Sequence, residues 1–185
     1  MRIKVLLSLL ILTVGIQLQA YPATMKKKIL IAYFSHTGKT RAVAMQIKKI
    51  TGADVFEIIP IKPYPNDYNT LLEQTKTEAR NHYHPQLKTR LKNFNQYDII
   101  IIGSPIWWFT FAPPVSSFLK SYNFENKTIV PFSTNEGSGL GTIVSDTKKL
   151  CPKVKILKGL SITGSKATKA QHQVSTWLKD IQIIK

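Results

Sequence analysis

The sequence predicts an α/β protein, a doubly wound parallel sheet of five strands in a single domain. Three observations carry this. Ile29–Phe34 and Tyr97–Gly103 are apolar, β-branched runs without polar alternation, the pattern of strands covered on both faces. Further runs of this kind alternate with stretches whose apolar residues recur at helical spacing, which is how a sheet of crossover units is written. A chain of 185 residues also suits one domain with a substantial core.

Residues 1–20 stand apart from that domain, which is taken as 26–185. Arg2 and Lys4 form a basic start, Val5–Ile16 an apolar stretch, and Leu18-Gln19-Ala20 a cleavage site. The apolar stretch is short for a membrane span. We therefore expect a signal peptide cut after Ala20 and an exported protein, periplasmic or secreted, with no stable membrane span after cleavage. The rival is a cytoplasmic protein that starts at Met25, since Met25-Lys26-Lys27-Lys28 would make a natural N-terminus.

The first strand, Ile29–Phe34, empties into Ser35-His36-Thr37-Gly38-Lys39-Thr40, and a helix follows on Ala42, Val43, Ile47 and Ile50. A tight hydroxyl-rich loop before a helix aims backbone N–H groups and the positive end of the helix dipole at one spot, which suits a phosphate. A nucleotide P-loop, G-x-x-x-x-G-K-[ST], is a rival that the loop matches only at its end, Gly38-Lys39-Thr40, since Tyr33 stands where its first Gly belongs. A plain Ser/Thr helix cap is the other reading. Three hydroxyls and a Gly within six residues favour the anion site.

Ala53–Ile59 is the second strand. Pro60, Pro63 and Pro65 then break the chain before a helix that starts near Asn66-Asp67-Tyr68, carries a stripe of Tyr68, Leu71, Leu72, Thr75 and Ala79, and ends near Pro85. Tyr97–Gly103 is the third strand, Lys127–Ser133 the fourth and Val154–Ile162 the fifth. Helices fit at Pro114–Ser121, Thr142–Leu150 and Lys169–Ile181. In such a sheet the ligand lies beyond the carboxyl ends of the strands. Three exits matter there: Ser35–Thr40, Ser104–Pro114 and Ser133–Thr142. The second holds Trp107, Trp108 and Phe109 between prolines, an aromatic shelf for a planar ligand, although one or two of these rings can serve as core plugs. The third holds Gly137, Gly139 and Gly141, which let backbone approach a ring edge. Together they describe a planar ligand with a phosphate tail.

Lys and Arg number 26 against 10 Asp and Glu; losing Arg2 and Lys4 with the leader leaves 24 against 10, a net +14. The lysines are scattered and no nucleic-acid motif accompanies them, so no nucleic acid is expected as partner. An acidic protein or an anionic surface is a second reading of the charge. Cys151 is the only cysteine, which excludes an intramolecular disulfide, and beside Pro152 it reads as structural. His36, His82, His84 and His172 show no zinc-ligand spacing, and no metal is expected.

The motifs S-x-T-G-x-T (35–40), GSPIWW (103–108), APP (112–114) and GSGLG (137–141) resemble those of flavodoxin-like proteins, and the likeness runs from about Lys26 to the closing helix. The resemblance implies FMN as cofactor, a strand order of 2-1-3-4-5 and, from an uninterrupted fifth strand, the short-chain form. The implied FMN-binding residues are Ser35, His36, Thr37, Gly38, Lys39 and Thr40 around the phosphate. Pro105, Ile106, Trp107, Trp108 and Phe109 form the second loop, with Trp107 and Trp108 as the stacking candidates. Thr134, Glu136, Gly137, Ser138 and Gly139 complete the set in the third. The chain departs from the family's habit at Lys39, commonly Asn, and at Phe109, commonly Gly. It is also basic where electron-carrying flavodoxins are acidic. No catalytic acid or base stands out; His36 and Glu136 are the titratable residues of these loops, each without an evident partner. The expected function is an oxidoreductase passing electrons from NAD(P)H to a quinone-like acceptor. The alternatives are a one-electron carrier for a redox protein and an FMN-free module on the same fold.

Overall fold

A computed structural model describes residues 27–185. The expected signal peptide and Lys26 lie outside the described residues. The chain runs β1 (Ile29–Tyr33), α1 (Lys39–Thr51), β2 (Asp54–Glu57), α2 (Tyr68–Arg80), β3 (Ile99–Trp107), β4 (Thr110–Phe111), α3 (Pro113–Ser121), β5 (Thr128–Asn135), α4 (Ile143–Leu150), β6 (Lys155–Ile156), β7 (Leu160–Thr163) and α5 (Gln171–Asp180). The parallel strands stand in the order β2-β1-β3-β5-β6, with β7 also on β5, so the expected 2-1-3-4-5 order holds with β6 and β7 together as the fifth strand.

Alternation within β1 divides the core in two. Leu30 and Ala32 face the side covered by Val115 and Phe118 of α3 and Ile143 of α4. Ile31 and Tyr33 face the side covered by Val43 and Ile47 of α1 and by Val174, Trp177 and Leu178 of α5. A strand buried on both faces cannot alternate apolar and polar, which is why these runs are continuous in the sequence.

Two expectations are corrected. The fifth strand is not continuous: Ile129 pairs with Ile156 and Phe132 with Leu160, so Val130 and Pro131 oppose Leu157, Lys158 and Gly159. The Ile129 carbonyl accepts from Leu157 N–H (3.0 Å). By parity, residue 131 also faces the fifth strand, and proline has no N–H to offer it. The extra residue bulges out opposite that gap. The third strand, for its part, does not stop at Gly103. It continues beside β5 to Pro105↔Thr134, then folds back antiparallel with Ile106↔Phe111 and Trp107↔Thr110.

That hairpin has a two-residue loop, Trp108-Phe109, with φ of 50° and 65°. Two positive φ values mark a type I′ turn, the place for Asn-Gly. Its neighbours hold it there. Thr142 donates to the Phe109 carbonyl from its N–H (2.7 Å) and its hydroxyl (3.2 Å). Gly141 passes so close that a β-carbon on it would collide with the same carbonyl.

Helix α2 is capped as its sequence suggests, with Asp67 accepting from Thr70 N–H (2.8 Å) and Thr70 hydroxyl (2.6 Å). Of its apolar stripe only Thr75 is buried, and Tyr68 is 70% exposed. The helix therefore turns much of its apolar face to a cleft, with Leu71 also packed against the core.

Candidate functional site

The cleft encloses about 510 Å³ above the carboxyl ends of β1, β3 and β5. His36, Thr37, Lys39 and Thr40 line one end of it, Pro105 to Phe109 one side, and Thr134, Glu136 and Ser138 the other. Ser35, Gly38, Gly137 and Gly139 do not reach its wall; they shape the loops that do.

At the β1–α1 turn Gly38 takes φ 84°, the left-handed conformation that glycine adopts without strain. The Ser35 hydroxyl accepts from Arg41 N–H (3.2 Å). No partner among the described residues engages the N–H groups of Thr37, Gly38, Lys39 and Thr40, so they remain as donors at the helix start. The Thr40 and Thr134 hydroxyls bond to each other (2.8 Å), and whichever donates, the other keeps a proton for a ligand. Lys39 and Glu136 are joined too: Lys39 Nζ donates to Glu136 Oε1 (2.8 Å), so Glu136 is not the unpartnered carboxylate that its loop suggests.

The aromatic residues divide their roles. Trp107 meets Phe34, Tyr64 and His36 edge to face, with centroids 5.5, 4.9 and 6.0 Å apart, and is half-buried. It packs against the core, as expected of one or two of the three rings, and it also lines the cleft. Trp108 (41% exposed) and Phe109 (71%) form the open tip. Trp108 Nε1 donates to Thr75 Oγ1 (3.0 Å), and the Thr75 hydroxyl donates on to the Leu71 carbonyl (2.8 Å). The hairpin tip is thus tied directly to α2.

Tyr68, Leu71, Leu72 and Thr75, the helical stripe that the sequence shows, build a whole wall of the cleft. Sequence reasoning missed one contribution. Asn135 organises the third loop: its Oδ1 accepts from Gly137 N–H (2.9 Å) and Gly139 N–H (3.1 Å), while its Nδ2 donates to Ser161 Oγ (2.9 Å). An Asn before a Gly-rich run is a turn signal that could have been read. Cys151 is buried as expected, and burial pushes its thiol up to about 11. Among the described residues no cluster of His, Cys, Asp and Glu could hold a metal, and no helix is long and apolar enough to cross a membrane.

The comparisons agree with this geometry. Among curated proteins none matches the chain. A candidate flavoprotein from Bacteroides eggerthii is 30% identical over 85% of this chain and 99% of its own, with a TM-score of 0.75. A second, from Bacteroides uniformis, is 29% identical over 83% and 98%, with a TM-score of 0.74. A flavoprotein from Lactobacillus acidophilus, solved in complex with FMN, shares the fold at 24% identity over 77% and 97%, with a TM-score of 0.63. The family model described as flavodoxin matches residues 28–181, and the chain belongs to that family.

Proposed function

We propose that this protein is an FMN-dependent oxidoreductase that passes electrons from NAD(P)H to a quinone-like acceptor. FMN fits the site. Unpartnered N–H groups and a Gly in positive φ stand where an anionic phosphate would be held, Thr37 beside them offers a hydroxyl, and the cleft volume is that of a small-molecule site. When bound, FMN supplies the redox chemistry, and the protein binds and orients it. The loop amides, Thr37 and the Thr40–Thr134 pair would hold the phosphate end. Trp108 and Phe109 present aromatic faces for stacking, and the Asn135-organised loop from Glu136 to Gly139 presents backbone to the ring edge. No residue of the cleft is assigned as a catalytic acid or base.

The observation that carries the reductase reading is the apolar face of α2. Tyr68, Leu71 and Leu72 line the same cleft as Trp107, Trp108 and Phe109, so a second planar molecule there would meet apolar side chains from both elements. The test is mixing FMN-loaded protein with NADH or NADPH in a stopped-flow instrument. Flavin absorbance should bleach rapidly and return on adding a quinone; bleaching with neither nucleotide refutes the reading. The 71% exposure of Phe109 favours the alternative, a carrier whose tip meets an acidic redox protein.

Export completes the proposal, and it rests on residues 1–20. Intact-mass measurement of protein from its native source should give a chain that begins at Tyr21; one that begins at Met1 or Met25 overturns it.

A further inference from the structure

Behind the aromatic hairpin lies a second cavity of about 470 Å³. It shares Thr75, Trp107, Trp108 and Phe109 with the first cleft, so these residues form a partition with a cavity on each side. Tyr83, Trp108, Phe109 and Phe111 make its walls aromatic. Its two carboxylates are already engaged. Asp146 accepts from the hydroxyls of Thr110 (2.8 Å) and Thr142 (2.5 Å) and from Lys149 Nζ (2.9 Å). Glu78 accepts from Tyr64 OH (2.7 Å) and Gln74 Nε2 (2.8 Å).

His84 is different. Its Nδ1 lies 2.6 Å from Ser116 Oγ, and that oxygen lies 2.7 Å from the Pro113 carbonyl. Two oxygens at that distance require a proton between them, and only the Ser116 hydroxyl can supply it. Ser116 must then accept from His84, which places the ring proton on Nδ1 and leaves Nε2 as a bare acceptor. Burial first, then the charges of Lys120 and His82, hold His84 below the ordinary histidine range, so the ring is neutral at pH 7. Nε2 has no partner among the described residues. Lys120 and His82 lie close enough for their charges to act on the ring, and Tyr83 and Lys149, the latter paired with Asp146, line the same cavity.

We propose that this cavity is a second ligand site, which takes a planar hydroxylated aromatic, a phenol or hydroquinone, whose hydroxyl donates to His84 Nε2. The aromatic walls suit a flat ring, a lone acceptor suits a hydroxyl donor, and the positive charge of Lys120 near His84 favours the negative charge that a phenol oxygen gains on donating. The site shares only its partition with the cleft, so it stands whether or not the flavin reading does.

The test is calorimetric titration of the full chain, without and with FMN, using 2-naphthol and 2-methoxynaphthalene, which has the same ring but no donor. Both forms of the protein should bind 2-naphthol, and the methoxy compound should bind roughly five- to tenfold more weakly, the worth of one hydrogen bond. His84→Leu should weaken 2-naphthol by a similar factor and leave the methoxy compound unchanged. The Nε2 resonance of His84 in ¹⁵N-labelled wild-type protein should shift with 2-naphthol alone, a readout that needs no variant to fold. Equal affinity for the two compounds, displacement of 2-naphthol by FMN, or an unmoved Nε2 resonance overturns the proposal. Failure of the flavin reading would instead appear as a chain that binds 2-naphthol but not FMN.

Discussion

Lys39 and Glu136, 97 residues apart in sequence, meet at 2.8 Å across the mouth of the cleft, one at the start of α1 and the other just after β5. Both side chains are about half exposed or more, so the pair adds little to stability. Its consequence concerns charge. While Lys39 is held by Glu136, its positive field is shared between a carboxylate and any phosphate bound beside it. Glu136→Gln should free Lys39 and tighten FMN by a few-fold at low salt, an effect that fades as salt screens it. Riboflavin, which has no phosphate, should show no such gain. Fluorescence titrations with both flavins at two salt concentrations check this, and an equal gain for riboflavin would sink it.

The two tryptophans should separate cleanly. Trp107→Ala removes a ring packed on Phe34 and Tyr64, so it should lower the thermal midpoint as well as flavin affinity. Trp108→Ala should weaken FMN by about 1 kcal/mol while the midpoint moves little. Thr37→Ala should cost about 1.5–3 kcal/mol of FMN affinity through loss of a charge-assisted hydrogen bond. Unchanged FMN affinity in all three would mean that the site is misplaced.

At the hairpin tip a side chain pays for its position. Phe109 stands at φ 65° and is 71% exposed, so it has strain and little burial to offset it. Phe109→Gly should stabilise the folded protein by roughly 1 kcal/mol, the order of the left-handed penalty it removes. Urea denaturation measures this. A loss of stability would show that the exposed ring contributes more than its backbone costs.

Asp146 makes the hairpin sensitive to acid. Burial acts to raise its pKa, but hydrogen bonds from Thr142, Lys149 and Thr110 together outweigh it and hold the carboxyl below the ordinary range. A depressed folded pKa means that the carboxylate stabilises fully above the ordinary pKa of about 3.8, with the contribution lost as pH falls through the lower folded value. Asp146→Asn should therefore be less stable than wild type at pH 6, with the gap closing below about pH 4. Urea midpoints across this range decide it; a gap independent of pH would place the effect elsewhere.

Much of this was legible in the sequence, for identifiable reasons. Buried parallel strands announce themselves because neither face may be polar, and the three strand exits follow once the strands are placed. The hairpin was hidden because its turn uses Trp108-Phe109 where the turn type favours Asn-Gly, and the residues that hold it, Thr142, Gly141 and Thr75, lie more than thirty positions away. The break in the fifth strand was hidden because its cause, Pro131, lies in the neighbouring strand. The stripe of α2 was visible, but the side it faces is decided by what the rest of the chain leaves open. The Lys39–Glu136 pair and the Trp108–Thr75 bond join residues that no local pattern relates.

The bulge opposite Pro131 also bears on what this edge of the sheet offers another chain. β6 and β7 form an open edge of the sheet, and an unbroken edge strand there would offer another molecule a ready row of backbone donors and acceptors. Instead the edge is cut into pieces of two and four residues, with exposed Lys155 in the first piece and exposed Lys158 in the gap between them. A second chain would find neither the length nor the register to add itself, and it would meet a cation on approach. The missing N–H of one proline, in the strand next door, thus guards this edge of the sheet against pairing.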